Sequence, residues 1–449
     1  MNFYQLLHEK TELHPEKIFF HWDKYTHSYR DFCAQVDSIA AKLAKSSLKG
    51  KLCGIYSPDT FFQLSHFFAI QKLGGIPLLI HSHIPHQELL NILQENQIHY
   101  LSTDSPNPAF DFPCLYQNST HQFYQSFNYP NSFDEKINLA VLTSGSTGIP
   151  KVLLRSFSSW ADFFPIQNQI FQINSDTRLY FHGALSFTGN LNLILGVLAA
   201  GGTIAGTPSL RPTKWLADLQ THSISHLYLI PTKLAVLASH QKTAISAVRQ
   251  ILSGSQLLSP KTLHLLYKHF PQSEIILYYG ASEINYVSWL KGDEILAKPT
   301  SIGHPFPKVN IDIKDGKIYV DSPFHVENLT PPCTVGDCGY IDSDGHLIFQ
   351  GRGEDFYNIK GIQVSKLKII NYLKNHPKII DAEIIPYQLN NETKLAAFIA
   401  AETRDLPKLQ SYLKTHLQPA EIPSRLIYLE QLPRTSIGKT DRKRLQSYL

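Results

Sequence analysis

The residues at 142–151 combine small hydroxyl side chains, glycines and a final lysine. Glycines let backbone N–H groups turn toward an anion because no Cβ stands in the way, hydroxyls add donors, and an ammonium group can reach outer phosphate oxygens. The alternative is an ordinary Ser/Gly turn, since the Walker A spacing of Gly-x4-Gly-Lys-Ser/Thr is absent. The apolar run at 137–142 favours a nucleotide loop, because it predicts a short strand that leads into the loop. The predicted phosphate-binding residues are Thr143, Ser144, Gly145, Ser146, Thr147, Gly148 and Lys151.

Strand-like and helical segments alternate along the first two thirds of the chain, which predicts βαβ units and parallel sheets covered by helices. The first units comprise strands at 52–56, 77–80 and 100–103 and helices at 60–73 and 87–96. The same order recurs where helices at 215–221 and 260–269 precede strands at 227–230 and 275–279. The fold class is therefore predicted to be α/β.

The pattern changes after Val309 to short alternating strands, with turn sequences at 314–317 and 342–345. A smaller α+β unit is expected after Arg352, whereas 104–135 is expected to be rich in loops. We therefore predict a large domain at 1–352, containing a β-rich subdomain, and a small mobile domain at 353–449.

Composition excludes several classes of partner. The chain has 449 residues, 43% of them apolar, and 41 basic and 37 acidic side chains give a net charge of +4 without a basic block. Nothing in this charge pattern indicates binding to nucleic acid or to an anionic membrane. No export signal or membrane span is expected. Five cysteines without zinc-type pairs fit a reducing compartment, so we predict a cytoplasmic protein.

Three histidines, His81, His83 and His86, lie close enough in sequence to suggest a metal site. The intervening Ile84-Pro85 breaks helical spacing, and no cysteine or carboxylate pattern accompanies them. We therefore interpret them as ordinary histidines.

Four further motifs follow the first loop, at 279–283, 335–337, 351–355 and 437–439. In this order and approximate spacing, the motifs resemble those of the adenylate-forming enzymes, which comprise acyl-CoA synthetases, peptide-synthetase adenylation domains and luciferases. The resemblance covers nearly the whole chain and is greatest to a short acyl-CoA synthetase. It implies that a carboxylate attacks the α-phosphate of ATP to give acyl-AMP, and that a thiol then displaces AMP.

The resemblance assigns roles to individual residues. Glu283 resembles the Mg²⁺ ligand, and carboxylate oxygen is a donor that Mg²⁺ prefers. Lys439 is implied to be a mobile catalytic ammonium group that contacts the acyl carboxylate and the α-phosphate. Asp337 is implied to accept hydrogen bonds from both vicinal ribose hydroxyls. The other implied ATP-binding residues are Gly254 and Ser255 beneath the base, Tyr279 stacking on adenine, Ser282 where the family usually has threonine, and Arg352 beside the sugar or phosphate.

In the small domain, Glu354 occupies the hinge position, and Lys360 and Gly361 resemble the segment that lines the thiol path. The sequence Lys366-Leu367-Lys368 replaces glutamates that the family usually has there. The sequence therefore supports the adenylation step more strongly than it supports the identity of the thiol acceptor.

The acyl pocket also departs from the family. Ser186 falls where many relatives have a histidine or an aromatic residue, with Phe187 beside it, and no acidic residue lies between His182 and Gly202 to meet an amino group. The sequence therefore disfavours an amino acid substrate. An aromatic or medium-chain acyl group is preferred, with Phe181, Leu185, Phe187 and Trp289 as candidate wall residues.

The predicted function is an AMP-forming acid–thiol ligase that uses ATP, Mg²⁺ and a carboxylic acid, with CoA as the thiol. One alternative is transfer to the phosphopantetheine of an acyl carrier protein. The other is a nucleotide-binding relative without catalysis, which Lys151, Glu283, Asp337 and Lys439 argue against.

Overall fold

The computed structural model describes residues 1–23, 25–104, 110–127, 129–130, 132–142, 150–359, 362–376, 378–389, 392–401, 409–434 and 440–449. The side chains of Glu354 and Gln363 are not included in this description.

The elements of the N-terminal third are α1 (Phe3–Leu13), β1 (Ile18–Trp22), β2 (Tyr25–Ser28), α2 (Tyr29–Leu43), β3 (Leu52–Tyr56), α3 (Thr60–Lys72), β4 (Ile76–Ile80), α4 (His86–Glu95), β5 (Tyr100–Thr103), β6 (Cys114–Gln117), β7 (Gln122–Gln125), β8 (Ile137–Leu142) and β9 (Val152–Ser156). The middle of the chain forms α5 (Ser158–Ala161), α6 (Phe164–Ile170), β10 (Arg178–Phe181), α7 (Thr188–Ala199), β11 (Thr203–Gly206), α8 (Pro212–Thr221), β12 (His226–Tyr228), α9 (Pro231–His240), β13 (Gln250–Ser253), α10 (Pro260–His269), β14 (Glu274–Ala281), β15 (Asn285–Lys291), α11 (Gly292–Ala297), β16 (His304–Pro305), β17 (Asn310–Lys314), β18 (Lys317–Asp321), β19 (Asp337–Ile341) and β20 (Leu347–Arg352). After a 3-10 turn at Gly353–Asp355 come β21 (Phe356–Ile359), β22 (Ile362–Ser365), α12 (Lys366–Asn375), β23 (Ile379–Leu389), β24 (Glu392–Ala401), α13 (Leu409–His416), a second 3-10 turn at Pro419–Glu421, β25 (Arg425–Leu429) and α14 (Arg442–Gln446).

Two large sheets form the N-terminal part. One has seven strands in the order β6-β7-β5-β3-β4-β8-β9, and the other has nine in the order β16-β15-β14-β13-β12-β10-β11-β1-β2. Their central strands pair in parallel and are almost entirely buried, because helices cover both faces. Helix α3 is buried on nearly every side, which explains why its apolar residues are not confined to one face.

A four-stranded sheet, in the order β17-β18-β19-β20, follows the nine-stranded sheet. The chain then continues into a two-stranded sheet of β21 and β22 and a three-stranded sheet ordered β23-β24-β25. The apolar cores separate between residues 347 and 359. The three clusters within residues 3–347 share no buried member with the two clusters within residues 359–445.

The predicted α/β fold class is confirmed. The strand bounds expected at 52–56, 100–103 and 137–142 and the helix expected at 260–269 agree with β3, β5, β8 and α10. One expectation needs correction, because the loop-rich segment at 104–135 contributes β6 and β7 to the edge of the seven-stranded sheet. No helix within the described residues is long and apolar enough to cross a membrane.

Candidate active site

The carboxyl ends of β13 and β14 place several predicted nucleotide-binding residues at one edge of the nine-stranded sheet. These neighbouring strands run parallel, so Gly254 and Ser255 after β13 lie beside the end of β14. Gly254 is required there because a Cβ atom would lie 2.5 Å from the Tyr278 ring. Ser255 has a φ of 69°, in the left-handed region. Ligands of open α/β sheets bind at this edge, so the placement agrees with a nucleotide ledge.

Tyr279, Asp337 and Arg352 form one connected array. The Tyr279 hydroxyl donates to Asp337 Oδ2 over 2.5 Å, and Arg352 Nε donates to Asp337 Oδ1 over 2.6 Å. Asp337 is opposite Arg352 in the β19–β20 pairing and is only 2% exposed. Burial, reinforced by the Asp337 charge, raises the pKa of Tyr279 well above its usual value, so the phenol remains a donor.

The array leaves Asp337 with acceptor capacity for a ligand. An ionised carboxylate has about four lone-pair positions, and the two protein donors occupy one on each oxygen. Asp337 therefore keeps the lone pairs that its predicted role in binding the ribose requires.

Glu283 follows the end of β14, where Val326 N donates to its backbone carbonyl. Its carboxylate has no hydrogen-bond or ion-pair partner among the residues that the structure describes, which leaves both oxygens available. A free carboxylate at this position fits the predicted Mg²⁺ ligand.

Arg155 is a component of the site that the sequence analysis missed. It is fully buried on β9, and its two terminal nitrogens donate to Ser282 O (2.7 Å), Phe324 O (3.0 Å) and Ser159 Oγ (3.3 Å). Burial lowers the pKa of the guanidinium to about 9, although the charges of Glu283 and Glu327 act in the opposite direction. Arg155 thus holds the residue that precedes Glu283. The signal in the sequence was a lone charge within an otherwise apolar strand.

A cavity of about 60 Å³ lies beside these residues, bounded by the start of α7 and the end of β14. The Tyr228 and Tyr278 hydroxyl groups are 2.6 Å apart, and a Cβ on the lining residue Gly189 would lie 2.7 Å from each of them. The polar lining includes Arg155, Asn192 and Asn285. Within the described part of the chain, Arg155 Nε, Asn192 Oδ1 and Asn285 Nδ2 have no hydrogen-bond partner. The cavity is therefore small, with a partly polar lining.

Residues predicted to line the acyl pocket are not in this lining. Ser186 lies two positions before the lining residue Thr188, and the Ser186 hydroxyl is buried without a hydrogen-bond partner in the described structure. Phe187 is 52% exposed and contacts the His81 ring. Of the other candidates, Phe181 and Leu185 are buried in the apolar core and Trp289 packs against it.

Lys151 follows the phosphate-loop sequence and is exposed just before β9. The Asn96 side chain fixes the backbone on either side of it, donating to Pro150 O over 3.0 Å and accepting from Val152 N over 2.9 Å. Asn96 is a second positioning residue that the sequence analysis missed, because it lies 54 positions before Pro150.

The proposed hinge lies in the 3-10 turn at Gly353–Asp355. Asp355 accepts from Arg352 N over 3.0 Å and forms an ion pair with Lys366, whose side chain is 1% exposed. Lys368 binds both carboxylate oxygens of Glu421 at 2.7 Å. The two lysines that replace family glutamates therefore form ion pairs in this part of the fold.

Several predicted residues lie outside the described part of the chain. They are Thr143, Ser144, Gly145, Ser146, Thr147, Gly148, Lys360, Gly361 and Lys439, together with the side chain of Glu354. Of the other predicted residues, the structure brings together Gly254, Ser255, Tyr279, Ser282, Glu283, Asp337 and Arg352.

Comparison with known proteins identifies related sequences and folds. The family model described as AMP-binding enzyme matches residues 7–323. The uncharacterized acyl–CoA ligase YhfT of Bacillus subtilis is 30% identical over 68% of this chain and 67% of its own length. The putative long chain fatty acid-CoA ligase VraA of Staphylococcus haemolyticus is 23% identical over 97% and 95% of the two chains.

Solved structures share the fold across nearly the whole chain. The O-succinylbenzoate coenzyme A synthetase MenE of Bacillus subtilis, in complex with AMP, has a TM-score of 0.83 at 20% identity and covers 98% of both chains. ATP-bound MatB of Rhodopseudomonas palustris has a TM-score of 0.84 at 18% identity, covering 100% of this chain and 98% of its own.

Proposed function

Because the chain belongs to the AMP-binding enzyme family, we propose that it activates a carboxylic acid with ATP and transfers the acyl group to CoA. In the first step a carboxylate oxygen attacks the α-phosphorus, the bond to the β-phosphate oxygen breaks, and pyrophosphate leaves. In the second step the CoA sulfur attacks the acyl carbonyl carbon and AMP leaves. The observation that carries the proposal is the Tyr279–Asp337–Arg352 array beside the free Glu283 carboxylate.

The residues divide the work of adenylation between binding and charge stabilisation. Tyr279 and Asp337 orient the nucleoside, and Arg155 fixes the backbone before Glu283. Glu283 would hold Mg²⁺, which neutralises developing negative charge on the phosphates. Lys151 and Lys439 would add positive charge, one at the outer phosphates and the other at the α-phosphate.

Pyrophosphate exchange tests the first step. Incubation of the protein with ATP, Mg²⁺, labelled pyrophosphate and a panel of carboxylic acids should return label into ATP only with the correct acid. Thioester formation should follow with CoA. If an acyl carrier protein carrying phosphopantetheine replaced CoA as the better acceptor, the alternative thiol would be favoured. If no acid supported exchange, the non-catalytic alternative would replace the proposal.

The acid is proposed to be aromatic or medium-chain, the class that the sequence prefers, and not an amino acid, since no acidic residue between His182 and Gly202 could meet an amino group. The acid panel of the exchange assay tests this class.

Domain alternation is proposed to let one site serve both reactions. Adenylation needs a cation at the α-phosphate, whereas thiolysis needs an open path for the thiol. Support comes from the separate apolar cores on the two sides of 348–358 and from the Gly353–Asp355 turn between them. The proposed large domain is 1–352 and the proposed mobile domain is 353–449.

A cytoplasmic location is also proposed, supported by the free thiol state of all five cysteines.

A further inference from the structure

A carboxylate and two imidazoles converge away from the residues assigned to adenylation. Glu294 lies on α11, His304 on β16, and His346 just before β20. The ligand-type atoms of the three side chains lie within 4.8 Å of one another. Glu294 Oε1 is 3.4 Å from His304 Nε2 and 3.9 Å from His346 Nε2. Three donor atoms therefore face a common point.

Neighbouring bonds fix the direction of these donors. The other Glu294 oxygen accepts from Lys291 N over 2.7 Å, which leaves Oε1 for the cluster. The His346 Nδ1 atom is 2.9 Å from Ser301 Oγ, so its Nε2 atom points to Glu294. Such outer contacts are typical of metal-binding imidazoles, because they set the ring orientation and the tautomer.

The backbone holds the three elements together. Leu347 N donates to Gly303 O over 2.9 Å, and Ile302 N donates to Leu347 O over 2.8 Å. Gly303 has a φ of 86°, and a Cβ atom there would lie 2.0 Å from Trp289 O, so only glycine permits this approach. The position of His304 beside His346 is thus fixed by the fold.

The local charge favours a cation. Lys298 forms ion pairs with Asp342 and Asp344, and Asp342 also accepts from His346 N over 2.9 Å. Glu294, Asp342 and Asp344 place three carboxylates in this region, and two of them are paired with Lys298. This excess of carboxylates would attract a cation.

We propose that Glu294, His304 and His346 form a binding site for a divalent transition metal ion, with Zn²⁺ as the best match. Two imidazole nitrogens and one carboxylate oxygen suit Zn²⁺, whereas Mg²⁺ and Ca²⁺ prefer oxygen ligands alone. The side chains of His304 and Glu294 are 43% and 33% exposed, which leaves room for water as a fourth ligand. The ion would fasten the β19–β20 hairpin, which carries Asp337 and Arg352, to the end of the nine-stranded sheet.

Zinc titration of the chelator-treated full chain tests the site. Competition with a chromophoric chelator should give one tightly bound Zn²⁺ per chain, and Zn²⁺ should raise the Tm. Co²⁺ should give the d–d absorption of a low-coordinate nitrogen–oxygen site. Glu294→Gln keeps the size of the side chain and should weaken Zn²⁺ binding at least 10-fold, as should His304→Ala.

The control is His264→Ala, which removes an exposed histidine from α10 and should leave both the stoichiometry and the Tm shift unchanged. Folding of each variant is checked by circular dichroism. The proposal is overturned if the wild-type chain binds no zinc, or if Glu294→Gln and His304→Ala bind it as tightly as the wild type does. The readouts do not involve acyl transfer, so they are independent of the proposed function.

Discussion

At the scale of single residues, Asp337 makes more interactions than its predicted role of binding the ribose requires. Its two oxygens join Tyr279 on β14 to Arg352 on β20. A buried carboxylate with two such partners stabilises the junction between two sheets while it keeps lone pairs for a ligand. One residue therefore links the predicted ribose site to the strand that precedes the predicted hinge.

An Asp337→Asn variant separates these roles, since asparagine retains an acceptor but removes the charge. We expect the KM for ATP to rise roughly 10- to 100-fold, because hydrogen bonds to charged groups are worth about 1.5–3 kcal/mol. The KM for the acid should change little. Kinetics with ATP and 2′-deoxy-ATP measure the effect. Unchanged discrimination between these nucleotides would contradict a ribose role, and Asp312→Asn at an exposed ion pair is the control.

The predicted role of Lys439 is tested by Lys439→Ala. Adenylation should lose on the order of 2–4 kcal/mol of transition-state stabilisation, the scale of one preorganised electrostatic group. Thiolysis of supplied acyl-AMP should be spared, because the ammonium acts in only one domain arrangement. The two half-reactions are measured separately, with Lys443→Ala as the control. Equal loss in both would show that the assignment is wrong.

At the scale of elements, β12 is fastened to the end of α6 by His226. Its Nε2 atom lies 3.1 Å from Phe171 O, its Nδ1 atom lies 2.9 Å from Ser225 Oγ, and the residue is 2% exposed. Burial lowers the pKa of His226 to about 4, below the ordinary 6.5. The neutral imidazole therefore belongs to the folded state.

This pKa gives a pH dependence of stability. Between pH 6.5 and about 4 the unfolded chain binds a proton at His226 that the folded chain does not, so acidification favours unfolding. The His226 contribution is complete above pH 6.5 and should fall by on the order of 3 kcal/mol by pH 4. Urea unfolding of wild type and His226→Gln across this range measures it. The prediction would be refuted if the free energy of unfolding changed with pH in the same way in both proteins. In the control variant His8→Gln, at an exposed histidine, it should change as in the wild type.

At the scale of the whole molecule, the Gly353–Asp355 turn lies between two sets of apolar cores. Asp355 binds Lys366 on α12 and also accepts from Arg352 N at the end of β20, so it contacts both sides of the predicted boundary. The predicted pivot, Glu354, lies inside this turn.

A Glu354→Pro variant should fix φ at this position and restrict Gly353 before it. Pyrophosphate exchange is expected to survive while overall thioester formation falls at least 10-fold. Glu354→Ala should retain both activities, because it leaves the backbone free. Survival of both activities in the proline variant would place the pivot elsewhere in the chain.

The sequence by itself determined the features that are local in the chain. The apolar run before the phosphate loop gave β8, and the segment at 260–269 gave α10, because amphipathic periodicity and turn residues act over a few positions. The motifs around Tyr279 and Asp337 were also recognisable, since each is contiguous. Recognising these motifs together as a family signature required only their order and spacing along the chain.

Tertiary structure alone decided which distant residues meet. Asp337 lies 58 positions after Tyr279, and Arg155 lies 127 positions before Ser282, yet each pair forms a hydrogen bond. The small polar cavity and the Glu294–His304–His346 cluster likewise depend on how strands pair and sheets pack. Local propensity does not specify such contacts, because strand register and burial are set by the whole core.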